Sequence, residues 1–330
     1  MRNTIRRLTA LALICLSLAG SCLAAAPRAL VPVGEAVGLK LNAKGIVIAG
    51  FEEEFSSPAE QAGMQKGDVI LSVNGQEVND LQALGEVLKQ GGRMNLQVQR
   101  NGRTLHVQVT PRREGDTYRL GCYVRDGISG IGTVTFYDPE TGCFGALGHG
   151  VSDPQTHELL PIRDGSVVDT KVTQVQKGCV GTPGALRGSF EEEKALGSIE
   201  KNTDCGLFGV LEQVPEGQAI PVAQKEQVRL GAATIRSNVQ GDEVRDYAVT
   251  IEQVELNEDA DGRNLLLRVI DPVLLEQTGG IVQGMSGSPI LQNGRIVGAV
   301  THVLINDPTR GYGIFIENML EAAENGANKS

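Results

Sequence analysis

Alternation of apolar and polar positions with a period of two runs through most of the chain. The stretch AVGLKLNAKGIVIAGF, residues 36–51, holds two strand-like runs. MNLQVQRNGRTLHVQV, residues 94–109, alternates on either side of Asn101-Gly102, and ILQNGRIVGAVTHV, residues 290–303, does so around Asn293-Gly294. Asn-Gly tolerates the positive φ angles of a two-residue turn, so both segments predict hairpins. Helical spacing is scarce. Asp80 stands where a helix cap would, with Leu81, Leu84 and Leu88 on one face at i, i+3 and i+7, and the tail ENMLEAAENGANKS opens with a helical pattern. The charged, glycine-containing stretch VTPRREGDTYRLG interrupts the pattern near residue 115. It separates a first unit of about 80 residues, expected to be a small β-barrel with one flanking helix, from a second, larger β-patterned unit.

Composition agrees with a mainly β chain of two domains: 330 residues, 41% hydrophobic, 42 glycines and no tryptophan. The formal charge of −10 would repel phosphate backbones, and no basic stripe interleaved with aromatics occurs, which argues against nucleic acid as a partner. At the amino terminus Arg2, Arg6 and Arg7 precede an uncharged stretch over residues 8–26 that ends in small residues. That pattern predicts an export segment over residues 1–26, either a cleaved signal peptide or a retained membrane anchor. In an exported protein Cys122, Cys143, Cys179 and Cys205 could form two disulfides in any of three connectivities, or remain four buried thiols. No CxxC pair or histidine-rich cluster accompanies them, so neither a metal nor another cofactor is expected.

The chemistry centres on QGMSGSP, residues 283–289. A nucleophile elbow requires glycines two positions either side of the serine and a helix directly after it, whereas here Ser288 and Pro289 lead into a strand. The loop of chymotrypsin-like peptidases, Gly-x-Ser-Gly-Gly/Ser-Pro, fits instead. In that loop Ser286 is the nucleophile, and the N–H groups of Gly284 and Ser286 form the oxyanion hole. A serine hydroxyl needs a base, and the chain has four histidines. His149 sits in CFGALGHGVSD, where Gly145, Ala146 and Gly148 let the backbone pack deeply. His106 alternates with valines as a solvent-facing strand residue, His157 lies in a polar loop, and His302, on an expected strand, would line the substrate pocket, simply close the barrel, or serve as an alternative base. Many acidic residues lie between His149 and Ser286, and their chemistry does not choose among them.

Two resemblances sharpen this reading. SPAEQAGMQKGDVILSVNGQEV, residues 57–78, resembles the signature of bacterial PDZ domains. It implies a PDZ-like peptide-binding domain over residues 27–114, with a groove between the strand Gly45, Ile46, Val47, Ile48 and the helix at residues 80–88. An extended peptide would add there as a further strand, or the protein's own chain would fill the groove as a clamp. FGALGHGVSD, RVIDPVLLEQTGGIVQGMSGSPI and GAVTHVLINDPTRGYG together resemble the sporulation stage IV protein B peptidases of endospore-forming bacteria. That resemblance covers nearly the whole chain. It implies a PDZ-like domain followed by a chymotrypsin-like double β-barrel over residues 115–330, with the catalytic residues falling on His149, Asp271 and Ser286. Asp271 has a plainer reading as a turn former before Pro272. The resemblance also implies self-cleavage near the amino terminus, and a substrate that is a membrane-anchored regulator restraining an intramembrane protease, in the space between mother cell and forespore membranes. Two other functions remain open at this level: an inactive scaffold working through the PDZ-like groove, and a general quality-control peptidase of the cell envelope. Met285 replaces the aspartate that captures a new amino terminus in digestive peptidases, so activation by that route is not expected.

Overall fold

A computed structural model describes residues 28–54, 56–257 and 262–325. The fold is mainly β, with two closed barrels and a PDZ-like unit. Six strands close the first barrel: Ala36–Phe51, Cys122–Tyr137, Cys143–Ala146, Gly206–Leu211, Ala185–Thr203 and Ile162–Gln176, the last pairing back onto Ala36–Phe51. Another six close the second: Gly231–Ser237, Arg245–Val254, Leu265–Val269, Asp307–Phe315, Arg295–Leu304 and Pro289–Gln292, with Ile235 of the first opposite Ile290 of the last. Both hairpins expected at Asn-Gly form. Arg100 pairs with Arg103 and Gln292 with Arg295, and the two asparagines adopt positive φ.

Each unit has its own apolar core, as closure of a sheet with one apolar face requires. The PDZ-like core gathers Ile46, Ile48, Ile70, Met94 and Leu96; the first barrel is filled by residues such as Leu39, Phe144 and Ile199, and the second by Ile235, Leu267, Met285 and Phe315. Met285, completely buried, therefore serves the second core.

Among the described residues, four α-helices decorate the sheets: α1 (Pro58–Gln61), α2 (Leu81–Leu88), α3 (Pro272–Thr278) and α4 (Ile316–Asn325). Helix α2 starts where expected, with the Asp80 carboxylate accepting from the Ala83 N–H at 2.7 Å. Its buried face is Leu84 and Val87, while Leu81 stays exposed. Helix α4 buries Ile316, Met319 and Leu320 against the second barrel and the strand Gly206–Leu211.

The domain boundary expected at residue 114 does not separate two sheets. Strand Ala36–Phe51 begins in the first barrel, where residues 36–42 pair with residues 127–133 and residues 38–42 with 164–168. It ends in the PDZ-like unit, where Ile46 faces Ile70. The PDZ-like unit is thus bracketed in sequence by strands of the first barrel. Among the described residues, no helix is long and apolar enough to cross a membrane, and the expected export segment lies outside them.

Candidate active site

The serine loop is held from both barrels. From the first, the Thr133 N–H donates to the Ser286 carbonyl at 2.9 Å and the Thr133 hydroxyl to the Gly284 carbonyl at 2.7 Å. From the second, the Gly287 N–H donates to the Val300 carbonyl at 2.8 Å. A Cβ on Gly287 would lie 2.0 Å from the Thr133 carbonyl oxygen, and the residue has φ of 97°, so only glycine fits. Gly284, at φ 99°, packs against Leu186. With their carbonyls engaged on Thr133, the N–H groups of Gly284 and Ser286 donate to no protein acceptor among the described residues. Two unengaged amides on either side of Met285 are donors of the kind that an oxyanion hole requires.

His149 follows the strand Cys143–Ala146 through a reversal in which Leu147 and Gly148 take φ of 69° and 72°. A Cβ on Gly148 would sit 3.1 Å from both Ile314 and Thr301, so this turn lies directly against the second barrel. The imidazole Nδ1 meets the Gly150 carbonyl oxygen at 2.9 Å. A carbonyl only accepts, so Nδ1 carries the proton and the neutral ring presents its lone pair at Nε2. Burial pushes the His149 pKa below the ordinary histidine range. His302 packs beside it, with ring centroids 4.9 Å apart. Burial, His149 and Arg263 together bring the His302 pKa down to about 4. Both imidazoles are therefore neutral near pH 7.

His149, Gly284, Ser286, Thr301 and His302 line one cavity of about 430 Å³ between the barrels. Within it the Ser286 hydroxyl donates to the Thr301 carbonyl at 2.7 Å. The structure thus brings together the predicted nucleophile, base and oxyanion donors.

Asp271 is not brought to them. Its carboxylate caps α3, accepting from the Val273 and Leu274 N–H groups at 3.0 and 3.1 Å, and it also accepts from the Ala248 N–H at 3.2 Å. The register explains the separation. Leu265 pairs with Gly313 and Gly313 with Val300, beside the site, whereas Asp271 lies six residues farther along, past the end of that strand and outside the cavity lining. The Asp-Pro pair acts as the helix start that its turn chemistry allowed.

The peptide groove expected along Gly45, Ile46, Val47 and Ile48 is also corrected. Val47 pairs on one side with Val69 and on the other with Arg125, and Ile48 pairs with Val124. All four residues are buried, and at Val47 and Ile48 both edges of the strand are taken by the chain itself. Residues 122–126 lie between that strand and α2, with the Asp126 carboxylate accepting from the Leu81 N–H at 3.1 Å. The protein's own chain fills the expected groove. His106 and His157 are exposed and away from the cavity, as expected. Cys122, Cys143, Cys179 and Cys205 are free thiols. Sequence reading missed Thr133 and the Gly150 carbonyl, because neither a buried strand threonine nor a backbone oxygen carries a motif.

A family model described as SpoIVB peptidase S55 matches residues 116–320, and a PDZ domain model matches residues 56–100. A DegP-like periplasmic serine endoprotease of Pseudomonas putida (strain W619) is 28% identical over 213 residues, 62% of this chain and 40% of that protein. A second, from Pseudomonas fluorescens, is 40% identical over 129 residues, 35% of this chain and 26% of that protein. The chain thus spans well under two thirds of these relatives' length. The inactive form of Rv3671c from M. tuberculosis H37Rv aligns over 62% of this chain and 85% of its own, at 13% identity and a TM-score of 0.34.

Proposed function

Since the chain belongs to the SpoIVB peptidase S55 family, a family of serine endopeptidases, we propose that it hydrolyses peptide bonds by acyl-enzyme chemistry at Ser286. The observation that carries this reading is the pair of unengaged N–H groups on Gly284 and Ser286 in the cavity that also holds His149. Before attack the Ser286 hydroxyl turns from the Thr301 carbonyl toward Nε2 of His149. His149 takes the proton, Oγ bonds to the substrate carbonyl carbon, and the resulting oxyanion is held by the two N–H groups. His149 then passes its proton to the leaving amine, and water regenerates the serine by the reverse sequence.

In this reading the Gly150 carbonyl does for His149 what a buried carboxylate does elsewhere: it fixes the tautomer and ring orientation. Asp271 is a positioning residue. It starts α3, whose end leads through Gly279 into the serine loop.

Relatives named as periplasmic support export of this chain, and the family supports the finer proposal. The substrate would be the extracytoplasmic part of a membrane-anchored regulator during sporulation, cut in the space between mother cell and forespore membranes, with self-processing near the amino terminus. Hydrolysis of an unfolded protein such as casein tests the activity. Ser286→Ala and His149→Ala should each lower kcat by about 10⁴-fold or more, and equal rates in wild type and Ser286→Ala would exclude the proposal.

A further inference from the structure

The cavity beside Ser286 has walls of a single chemical character. Among the described residues, the 18 that line it include no aspartate, glutamate, lysine or arginine, and the two imidazoles are the titratable side chains. Eleven of the remainder are aliphatic or proline. A charged substrate side chain entering this space loses water and touches no charged group among the described lining residues, a cost that an aliphatic side chain does not meet.

The walls divide into two patches, and the chemistry says what each would face. Val282 immediately precedes the serine loop, and Val303 follows Thr301, the residue whose carbonyl receives the Ser286 hydroxyl. The side chain on the acyl side of the cut bond, next to the attacked carbonyl, falls between these two segments of the second barrel. The leaving amine must reach His149 for its proton. Residues after the cut bond therefore run along the first-barrel wall, where Leu41 pairs with Ile128 and Ile131 lies three residues on. At about 430 Å³ the space falls within the range of sites that enclose a small ligand rather than a single methyl group.

We propose that this cavity selects extended peptides carrying aliphatic side chains on both sides of the cut bond, with Val303 setting the preference before it and Ile131 the preference after it. The proposal rests on the peptidase reading above and adds the substrate class to it. Both residues are half-buried, lining the cavity while packing against the edge of the second-barrel core, so assembly of the site is checked in each variant.

The test is a library of internally quenched peptides in which the two residues flanking the cut are varied among Val, Leu, Ile, Ser, Asp and Lys, with cut positions read by mass spectrometry. Wild type should favour aliphatic residues at both positions by at least about tenfold in kcat/KM over Ser, and by more over Asp and Lys. Val303→Asp should lose that preference before the cut and gain cleavage after Lys, leaving the preference after the cut unchanged. Ile131→Asp should do the reverse. Labelling of Ser286 by a fluorophosphonate reports in each variant whether the site is assembled. A labelled wild type that prefers charged residues, or cuts no aliphatic member, overturns the proposal, as does a labelled pair of variants with the wild-type profile. Absence of labelling in wild type contradicts instead the peptidase reading beneath it.

Discussion

His149 works as a base only in its neutral form, and burial lowers its pKa. The sign follows directly. As pH falls, kcat/KM declines only once His149 takes up a proton, so the acid limb should lie below the ordinary histidine value of about 6.5. A pH profile checks this; a limb at or above 6.5 would show that the imidazole is solvated in the working enzyme. Asp271 gives a second prediction. Asn keeps an oxygen acceptor for the α3 cap, so Asp271→Asn should retain activity within a few-fold, while Asp271→Ala should cost about 1 kcal/mol of stability in a denaturant titration. A drop near 10⁴-fold in kcat for Asp271→Asn, with the fold intact, would make Asp271 the acid that orients His149. At this scale the sequence was most legible where a residue type is chemically irreplaceable. Ser286, His149, Gly284 and Gly287 announced themselves, whereas Asp-Pro served equally as a turn signal and as an acid.

Strand Cys122–Tyr137 joins places that composition keeps apart. Its first residues lie against the PDZ-like sheet and α2, its middle forms a wall of the cavity, and Thr133 holds the serine loop. Removing the Thr133 hydroxyl leaves the Gly284 carbonyl without that donor in a buried site. Thr133→Val, nearly isosteric, should therefore lower kcat about 5- to 10-fold while leaving the far-ultraviolet spectrum unchanged. Unaltered kinetics would show that the loop keeps its shape without this bond. Hairpins and the α2 cap were readable because their determinants are local. The partner of a strand was not. The apolar run over residues 36–41 marks a strand, but it carries no information that residues 127–133 and 164–168 will lie on either side. For the same reason the expected peptide groove was drawn on a strand whose two edges are already paired.

The whole molecule depends on that pairing. A fragment starting at residue 115 keeps every residue of the cavity except Leu39 and Leu41, yet lacks the strand that closes the first barrel. Residues 115–330 alone should fail to show a cooperative thermal transition, and adding residues 28–114 should restore it. A stable, active fragment would show that the first barrel closes without its first strand. The β character of the chain was legible from its turn chemistry; the interlocking of the first barrel with the PDZ-like unit was not, because it is a property of long-range closure. Peptide-bond hydrolysis by this protein requires an activated Ser286. Intact-mass analysis after fluorophosphonate treatment should show one adduct on wild type, located at Ser286 and absent from Ser286→Ala and His149→Ala. Folded wild type that takes no adduct, or takes it equally in His149→Ala, would contradict the account.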